Sequence, residues 1–329
     1  MKKNIIAAAL TAIIASSAIT ACGGSTAAAT TAAATTAAAT TAAETTAAAA
    51  AETTEEEAAD AKPVEAAEGA EADTAEPIHL TIGVTGSVYD DLWAPAIETL
   101  EQEGIILETV QFSDYVTPNN ALANGETDLN GFQHRIYLAS EIEQYGYEIT
   151  NIGNTFISPM NLYSDKLTSL DELQDGDVIA IPNDPTNGGR AIKVLSDAGL
   201  ITLKADAGFN PTVEDVETYN VGITIEELAA NTIPSILPDV AAAIINGNYA
   251  LDFGLRTEDA LFHDKMEEEE YWNLIACRTE DLSDPVLVEA YDKVVKAYQS
   301  AGTKQVYDEQ FGGYYVGVGW DQDLLADYK

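Results

Sequence analysis

The chain has 329 residues, with 15 Lys and Arg residues against 55 Asp and Glu residues and a formal net charge of −40 at pH 7. Nucleic-acid binding needs Lys and Arg against phosphate, so this balance excludes a nucleic-acid-binding protein. It also argues against a domain that lies flat on an anionic membrane. An anionic group on a ligand must therefore be captured locally, by a single Arg or by backbone N–H groups.

The N-terminus has the pattern of an export signal. Lys2 and Lys3 precede an apolar run, 5–14, that is too short for a permanent membrane span. Small residues follow and end at Cys22, as in a bacterial lipoprotein signal. This resemblance implies a signal peptide over residues 1–21, cleavage before Cys22 and lipidation of its sulfur, with palmitate among the acyl chains. Two or more acyl chains give a stable anchor. An ordinary secretory signal with an incidental Cys is the alternative.

Residues 22–76 are predicted to form a disordered tether. They are mainly Ala, Thr and Glu, without an aromatic residue or an apolar period, and cannot bury enough surface to offset chain entropy. From residue 78 onwards about 250 residues remain, enough for one large core or two lobes. With Cys22 committed to the anchor, Cys277 is the only cysteine left, so no internal disulfide is expected. Its apolar neighbours predict a buried thiol.

Strands and helices alternate along the folded part, which predicts an α/β fold with a mainly parallel sheet. Two helices are predicted to start at capping boxes, Ser169 with Glu172 and Thr224 with Glu227. Another follows the predicted cap Asp284. The remaining predicted helices are 91–103, 118–123, 134–144 and 191–200. The predicted strands are 78–84, 105–112, 129 onwards, 149–156, 160–163, 178–181, 242–245 and 273–278.

The segment from Asn183 to Arg190 reads Asn-Asp-Pro-Thr-Asn-Gly-Gly-Arg and lies between a predicted strand and a predicted helix. Open α/β sheets bind ligands at such turns, and the free N–H groups of a helix N-terminus attract an anion. Arg190 adds a planar guanidinium that matches a carboxylate. The same residues are also ordinary turn formers, and an Arg190 that only pairs with a surface acid is the alternative.

Five segments, one of which overlaps the stretch just described, carry a family resemblance: Phe112–Val116 with Pro118-Asn119, Asp128–His134, Gly153–Phe156, Ile181–Asn187 with Gly189-Arg190, and Ile245–Tyr249. In this order, and behind a lipoprotein signal, they resemble the methionine-binding lipoproteins of bacterial ABC importers. The resemblance covers residues 78–320.

The resemblance implies a two-lobed α/β fold of the periplasmic-binding-protein type II, with a ligand cleft between the lobes. Lobe one is expected to comprise residues 78–163 plus 271–329, and lobe two residues 164–266. The implied function is a lipid-anchored, extracytoplasmic solute-binding protein on the cell membrane, which is not an enzyme. Its expected partners are methionine or a close analogue and an ABC permease with its ATPase.

The aromatic residues of these segments are expected to line an apolar slot. Tyr115, Phe132 and Tyr137 follow predicted strand ends, and His134 is expected at the wall of the slot. A thioether gains about 0.3–1.5 kcal/mol from each sulfur–aromatic contact. Core packing is the alternative for each aromatic residue.

The charged head of an amino acid needs polar partners. Arg190 is expected to bind the carboxylate through two parallel hydrogen bonds. Asn187 and Asn246 are expected to bind the ammonium or the carboxylate through their side-chain amides. For Asn246, an ordinary Asn-Gly turn is the alternative.

Four positions depart from the family pattern: Gly131, Asn120, the segment at Pro234 and Ala241. They leave a dipeptide or a related apolar amino acid open as the ligand. Two other functions also stay open, an exported hydrolase that uses His134 with a nearby acid, and a surface adhesin on the same fold. No His, Cys or acidic pattern predicts a metal site, and no glycine-rich pattern predicts a cofactor.

Overall fold

The computed structural model describes residues 76–329, so the predicted signal peptide, Cys22 and nearly all of the predicted tether lie outside the described residues. Among the described residues, no helix combines the length and apolar character that a membrane crossing requires. The helices are α1 (Val88–Gln102), α2 (Thr117–Ala123), α3 (Arg135–Tyr145), α4 (Pro185–Asp197), α5 (Ile233–Ile236), α6 (Gly247–Asp252), α7 (Pro285–Tyr298) and α8 (Ala301–Glu309). The strands are β1 (Ile78–Thr85), β2 (Ile105–Phe112), β3 (Leu129–Asn130), β4 (Ile149–Asn154), β5 (Phe156–Ile157), β6 (Met160–Tyr163), β7 (Val178–Pro182), β8 (Ile201–Leu203), β9 (Val216–Tyr219), β10 (Thr224–Leu228), β11 (Ala242–Asn246), β12 (Ala260–Phe262), β13 (Leu274–Arg278) and β14 (Val316–Gly317).

Two five-stranded sheets define the two-lobed α/β fold. The first has the strand order β2-β1-β3-β13-β4, and the second has the order β10-β7-β11-β6-β12. In each sheet the fourth strand runs against its neighbours: β13 is antiparallel to β3 and β4, and β6 is antiparallel to β11 and β12. The other pairings are parallel. Both sheets are therefore mixed, and the expectation of a mainly parallel sheet holds only for the first three strands of each.

The chain passes from one sheet to the other just before each of the two reversed strands, β6 and β13. β4 belongs to the first sheet and β6 to the second, so the chain crosses between residues 154 and 160. It returns between β12 and β13. The lobe boundaries expected from the sequence remain a proposal, and the pairing of β6 with β11 favours a crossing before residue 160.

The central strands of the second sheet are buried on both faces. In β7, Ile179 and Ile181 pack into one apolar cluster and Ala180 packs into another. In β11, Ile244 and Ile245 divide between the same two clusters. Because successive side chains of a strand point to opposite faces, a continuous apolar run is the sequence signature of such a strand.

The core of the first sheet is closed by α1 and α7. In α7 the predicted apolar face is buried at Tyr291, Val294, Val295 and Tyr298, with Leu287 partly buried beside it. The Asp284 carboxylate accepts a hydrogen bond from the backbone N–H of Val286, which confirms the predicted cap.

One predicted helix start is wrong, and another begins only a short helical turn. Thr224 begins β10, which pairs in parallel with β7 from Thr224 opposite Val178 to Leu228 opposite Pro182. A capping box is worth only about 1 kcal/mol, and a full ladder with a buried strand outweighs it. At Ser169 the hydroxyl does cap a helical turn, but that turn is a 3-10 helix of three residues, Leu170–Glu172.

Candidate functional site

A single narrow cavity collects all of the side chains for which the sequence predicts ligand contact. Only about 30 Å³ of it is wide enough for the centre of a water-sized sphere, and one water needs about 10–15 Å³ by the same measure. By this measure the free space of the cavity corresponds to about two or three waters. The seven expected residues that line it are Tyr115, Phe132, His134, Tyr137, Asn187, Arg190 and Asn246. Lining residues that sequence reasoning missed include Tyr89, Phe156, Met160, Asn248, Asn273 and Tyr315.

The segment that carries Asn187 and Arg190 is a helix and not a turn. α4 begins at Pro185, six residues before the predicted start at residue 191. Its N-terminal N–H groups are occupied, because the Asp184 carboxylate accepts from the backbone N–H of Thr186 and of Asn187. The anion site expected at this helix N-terminus is therefore filled by the protein's own carboxylate. Asn187 and Arg190 lie three residues apart, which places both on one face of α4.

A hydrogen-bond network that starts at Asp184 fixes the orientation of the polar wall. The Asn187 Nδ2 donates to Asp184 Oδ2 at 2.9 Å, so the Asn187 Oδ1 must face the other way. That oxygen accepts from the Asn246 Nδ2 at 2.8 Å and lies 3.2 Å from the His134 Nε2. Asn246 therefore spends its amide nitrogen within the network. Its Oδ1 is buried and has no hydrogen-bond partner among the described residues.

His134 is held as a neutral imidazole. It is the N-cap of α3, and its Nδ1 accepts from the backbone N–H of Tyr137 at 3.1 Å. The Nε2 therefore carries the proton and donates to Asn187. Burial, with a smaller contribution from the nearby Arg190, lowers the pKa of His134 to about 3. Both ring nitrogens are engaged, so His134 has no free lone pair for general-base chemistry.

Arg190 is buried and already paired. Its Nη2 donates to the backbone carbonyl of Ser158 at 2.9 Å and to the carboxylate of Asp264. The guanidinium lies over the ring of Tyr271, 4.4 Å from the centroid. Its Nε is buried without a hydrogen-bond partner among the described residues. One edge of the guanidinium is thus fixed by the protein, and the Nε remains unsatisfied.

Asp264 is the partner that the sequence did not reveal. Its carboxylate also accepts from the backbone N–H of Met160 at 3.1 Å, which ties it to the start of β6. Asp264 lies 74 residues from Arg190 and close to the acidic run 267–270. Among so many acidic residues, no local pattern distinguishes it.

The aromatic wall is both core and cavity lining. The rings of Tyr115 and Phe132 stack with centroids 6.0 Å apart, and Tyr137 meets both of them edge-on at 6.1 and 6.2 Å. The Tyr137 hydroxyl donates to the backbone carbonyl of Tyr115 at 2.9 Å. Phe132 and Tyr137 also belong to the first apolar core. The two interpretations of these residues are thus compatible.

A pair of buried amide side chains, Asn119 and Gln133, adjoins this aromatic wall. Asn119 and Gln133 exchange two side-chain hydrogen bonds of 2.8 and 2.7 Å, and the Asn130 Nδ2 adds a third bond to Asn119 at 3.0 Å. Gln133 lies between Phe132 and His134 in the chain. The pair therefore fixes the backbone that presents those two side chains. Among residues 76–329, no group of three or more His, Cys, Asp or Glu side chains could hold a metal ion.

The relatives of this chain are lipoproteins and binding proteins. The D-methionine-binding lipoprotein MetQ of Escherichia coli strain K12 is 40% identical over 256 residues, 77% of this chain and 92% of the relative. A solved nutrient-binding protein from Burkholderia cenocepacia, bound to methionine, is 40% identical with a TM-score of 0.68 and covers 73% of this chain and 99% of that one.

A further solved relative has a lower sequence identity. The solved substrate-binding protein of a methionine transporter from Streptococcus pneumoniae is 31% identical with a TM-score of 0.69, and covers 73% of this chain and 95% of that one. The sequence pattern of the NlpA lipoprotein family matches residues 80–318. From this match and these relatives, the chain belongs to the NlpA lipoprotein family.

Proposed function

We propose that this chain is an extracytoplasmic, lipid-anchored solute-binding protein that captures methionine or a close analogue and delivers it to an ABC permease and its ATPase. One observation carries the proposal. A narrow cavity has the guanidinium of Arg190 and the amide of Asn246 in its polar wall, and stacked aromatic rings in the rest. The names of the similar proteins, which describe methionine binding, also support the proposal.

The polar wall suits a free α-amino acid. The Nε of Arg190 can donate to a carboxylate, and the Oδ1 of Asn246 can accept from an ammonium group. Both atoms are buried without a partner among the described residues, which costs about 1–3 kcal/mol for each group until a ligand satisfies it. Asn187 has its polar atoms committed to the network, so its role is to orient its neighbours.

The aromatic wall suits a slim, soft side chain. Tyr115, Phe132 and Tyr137 surround it with ring faces and edges, and a thioether gains about 0.3–1.5 kcal/mol from each such contact. The small free volume of the cavity disfavours a bulky ligand side chain.

Capture and release follow from two lobes that close about the crossings of the chain. We place these crossings near residues 158–159 and between residues 263 and 271. Ligand that contacts both lobes favours the closed form, and docking to the permease favours the open form. Lipid on Cys22 and the tether 22–76 would hold the protein at the outer face of the cell membrane.

Calorimetric titration with L- and D-methionine tests the proposal and resolves the stereochemistry. Arg190→Ala should abolish measurable methionine binding, and wild type should reject methionine methyl ester, which lacks the carboxylate charge. The ester should bind Arg190→Ala and wild type equally weakly, because the two changes remove the same interaction. Full-strength methionine binding by Arg190→Ala would overturn the assignment of the carboxylate site.

The hydrolase alternative finds no support in the geometry of His134, whose ring nitrogens are both engaged. No turnover of amino-acid esters or peptides is expected. Product release by wild type that disappears in His134→Ala would reverse this conclusion. A protein that retains no small molecule in native mass spectrometry and binds no amino acid would instead support the adhesin.

A further inference from the structure

The short helix α6 runs from the cavity to the start of α1. Its N-cap Asn246 and its first two residues, Gly247 and Asn248, line the cavity. Further along, Tyr249 packs in the core of the second sheet, whereas Leu251 packs in the core of the first. The helix ends at Asp252. The six residues of α6 thus connect the cavity with an apolar cluster of each sheet.

Asp252 caps a helix that lies far away in sequence. Its Oδ2 accepts from the backbone N–H of Ser87 at 3.0 Å. Its Oδ1 accepts from the Ser87 hydroxyl at 2.8 Å and from the backbone N–H of Val88 at 3.0 Å. Val88 is the first residue of α1, and the Ser87 side chain makes no cap of its own. The free N–H groups at the start of α1 therefore find their acceptor 164 residues along the chain.

The turn between β1 and α1 is shaped to receive this carboxylate. Gly86 has φ +94°, and a Cβ at this position would lie 2.1 Å from the Asp252 Oδ2. The same turn accepts a second bond from α6, because the Asn248 Nδ2 donates to the carbonyl of Thr85 at 3.0 Å. The backbone conformation requires glycine, and a Cβ here would also displace the Asp252 carboxylate.

The two helices that this contact joins, α1 and α6, also contribute residues to the walls of the cavity. Tyr89, in the first turn of α1, lines the cavity on one side, and Asn248 lines it from α6. The Asn248 Oδ1 in turn accepts from the hydroxyl of Tyr115 at 2.5 Å. A bond between α6 and the start of α1 thus fixes the distance between two walls.

We propose that Asp252 is a positioning residue of the binding site. Its carboxylate fastens α6 to the β1–α1 turn and holds the two walls in the arrangement that grips the ligand, although Asp252 is absent from the cavity lining. In this proposal the contact forms only when the lobes are closed, so that it raises ligand affinity by raising the closed fraction. The inference rests on the proposed function, since ligand binding is its readout.

The test compares two aspartates that cap long helices. Asp252 caps α1 from the other lobe, whereas Asp284 caps α7 from the adjacent position in the chain. Methionine affinity and dissociation rate are measured together with the thermal unfolding midpoint of the unliganded protein. Asp252→Ala should weaken methionine roughly 3- to 30-fold, mainly through faster dissociation, with little change in the unliganded midpoint. Asp252→Asn keeps an acceptor oxygen, so its methionine affinity should lie between those of Asp252→Ala and wild type.

Asp284→Ala should show the opposite result, a lower midpoint with unchanged methionine affinity. Asp252→Ala that behaves like Asp284→Ala would show that Asp252 only stabilises α1, and would overturn the inference. Wild type that fails to bind methionine would count against the proposed function instead. In that case the same comparison is made with the small molecule that native mass spectrometry finds on the purified protein.

Discussion

The guanidinium of Arg190 and the carboxylate of Asp264 form an ion pair in which only 5% and 8% of the two side-chain surfaces are exposed. Removing one partner of a buried pair leaves an uncompensated charge. The pair stands beside a cavity whose lining, within residues 76–329, contains no other Arg or Lys. Asp264 thus holds in place the cation that this part of the chain offers to a ligand carboxylate.

Asp264→Asn should therefore destabilise the unliganded protein by about 3–5 kcal/mol. Methionine should raise the unfolding temperature of this variant by more than it raises that of wild type, because the ligand carboxylate supplies the missing negative charge. Differential scanning fluorimetry with and without methionine measures both effects. Asp259→Asn, which removes an exposed carboxylate that caps a local turn, is the control. An equal ligand-induced rise in both variants would contradict the expectation.

The buried imidazole of His134 predicts a loss of stability in weak acid. Its pKa falls from 6.5 to about 3 on folding, so folding favours the neutral form. This contribution is complete above pH 6.5 and is lost as the pH falls toward 3, since the unfolded state then binds a proton that the folded state does not. Between pH 7 and pH 5 the loss is about 2 kcal/mol.

Urea unfolding at both pH values checks this against His134→Asn, which keeps a capping side chain but cannot titrate. The difference in unfolding free energy between pH 7 and pH 5 should be about 2 kcal/mol smaller in the variant. If the two proteins show the same pH-dependent difference, His134 takes up a proton between pH 7 and pH 5 in the folded state as it does in the unfolded state.

Gly131 has no room around it for a side chain. A Cβ there would lie 2.8 Å from the Trp93 ring and 3.0 Å from the Ile82 side chain. Gly131→Ala should cost about 1–3 kcal/mol in urea unfolding, because both neighbours are fully buried and cannot move aside. Gly208→Ala, with open space around its added methyl group, should lose no stability. A Gly131→Ala protein of wild-type stability would show that this part of the core can relax.

The thiol of Cys277 should be inert in the folded protein. It is fully buried in β13, and burial, with the nearby Asp281 as a smaller cause, raises its pKa to about 12. At pH 8 roughly one thiol in ten thousand is then ionised. Iodoacetamide should label Cys277 only after denaturation, as located by peptide mass spectrometry. Rapid labelling of the native protein would mean that β13 opens on the time scale of the reaction.

Much of the fold was predictable because its signals are local. The apolar runs of β7 and β11, the apolar face of α7 and the cap at Asp284 are each visible within a short segment of the sequence. The early start of α4 was missed because turn-forming residues fill its first turns. At Thr224 a local cap signal lost to pairing with a strand more than forty residues earlier in the chain.

The sequence by itself determined the α/β class, the order of most elements and the seven side chains that the structure brings to one cavity. Only the tertiary structure decided how those side chains are held. Asp264 meets Arg190 across 74 residues, and Asp252 meets Ser87 across 165 residues. Periodicity and capping patterns act within a few residues, whereas these partners meet only because the chain passes between two sheets and returns. In a chain with 55 acidic residues, nothing local distinguishes the two carboxylates that do this from the rest.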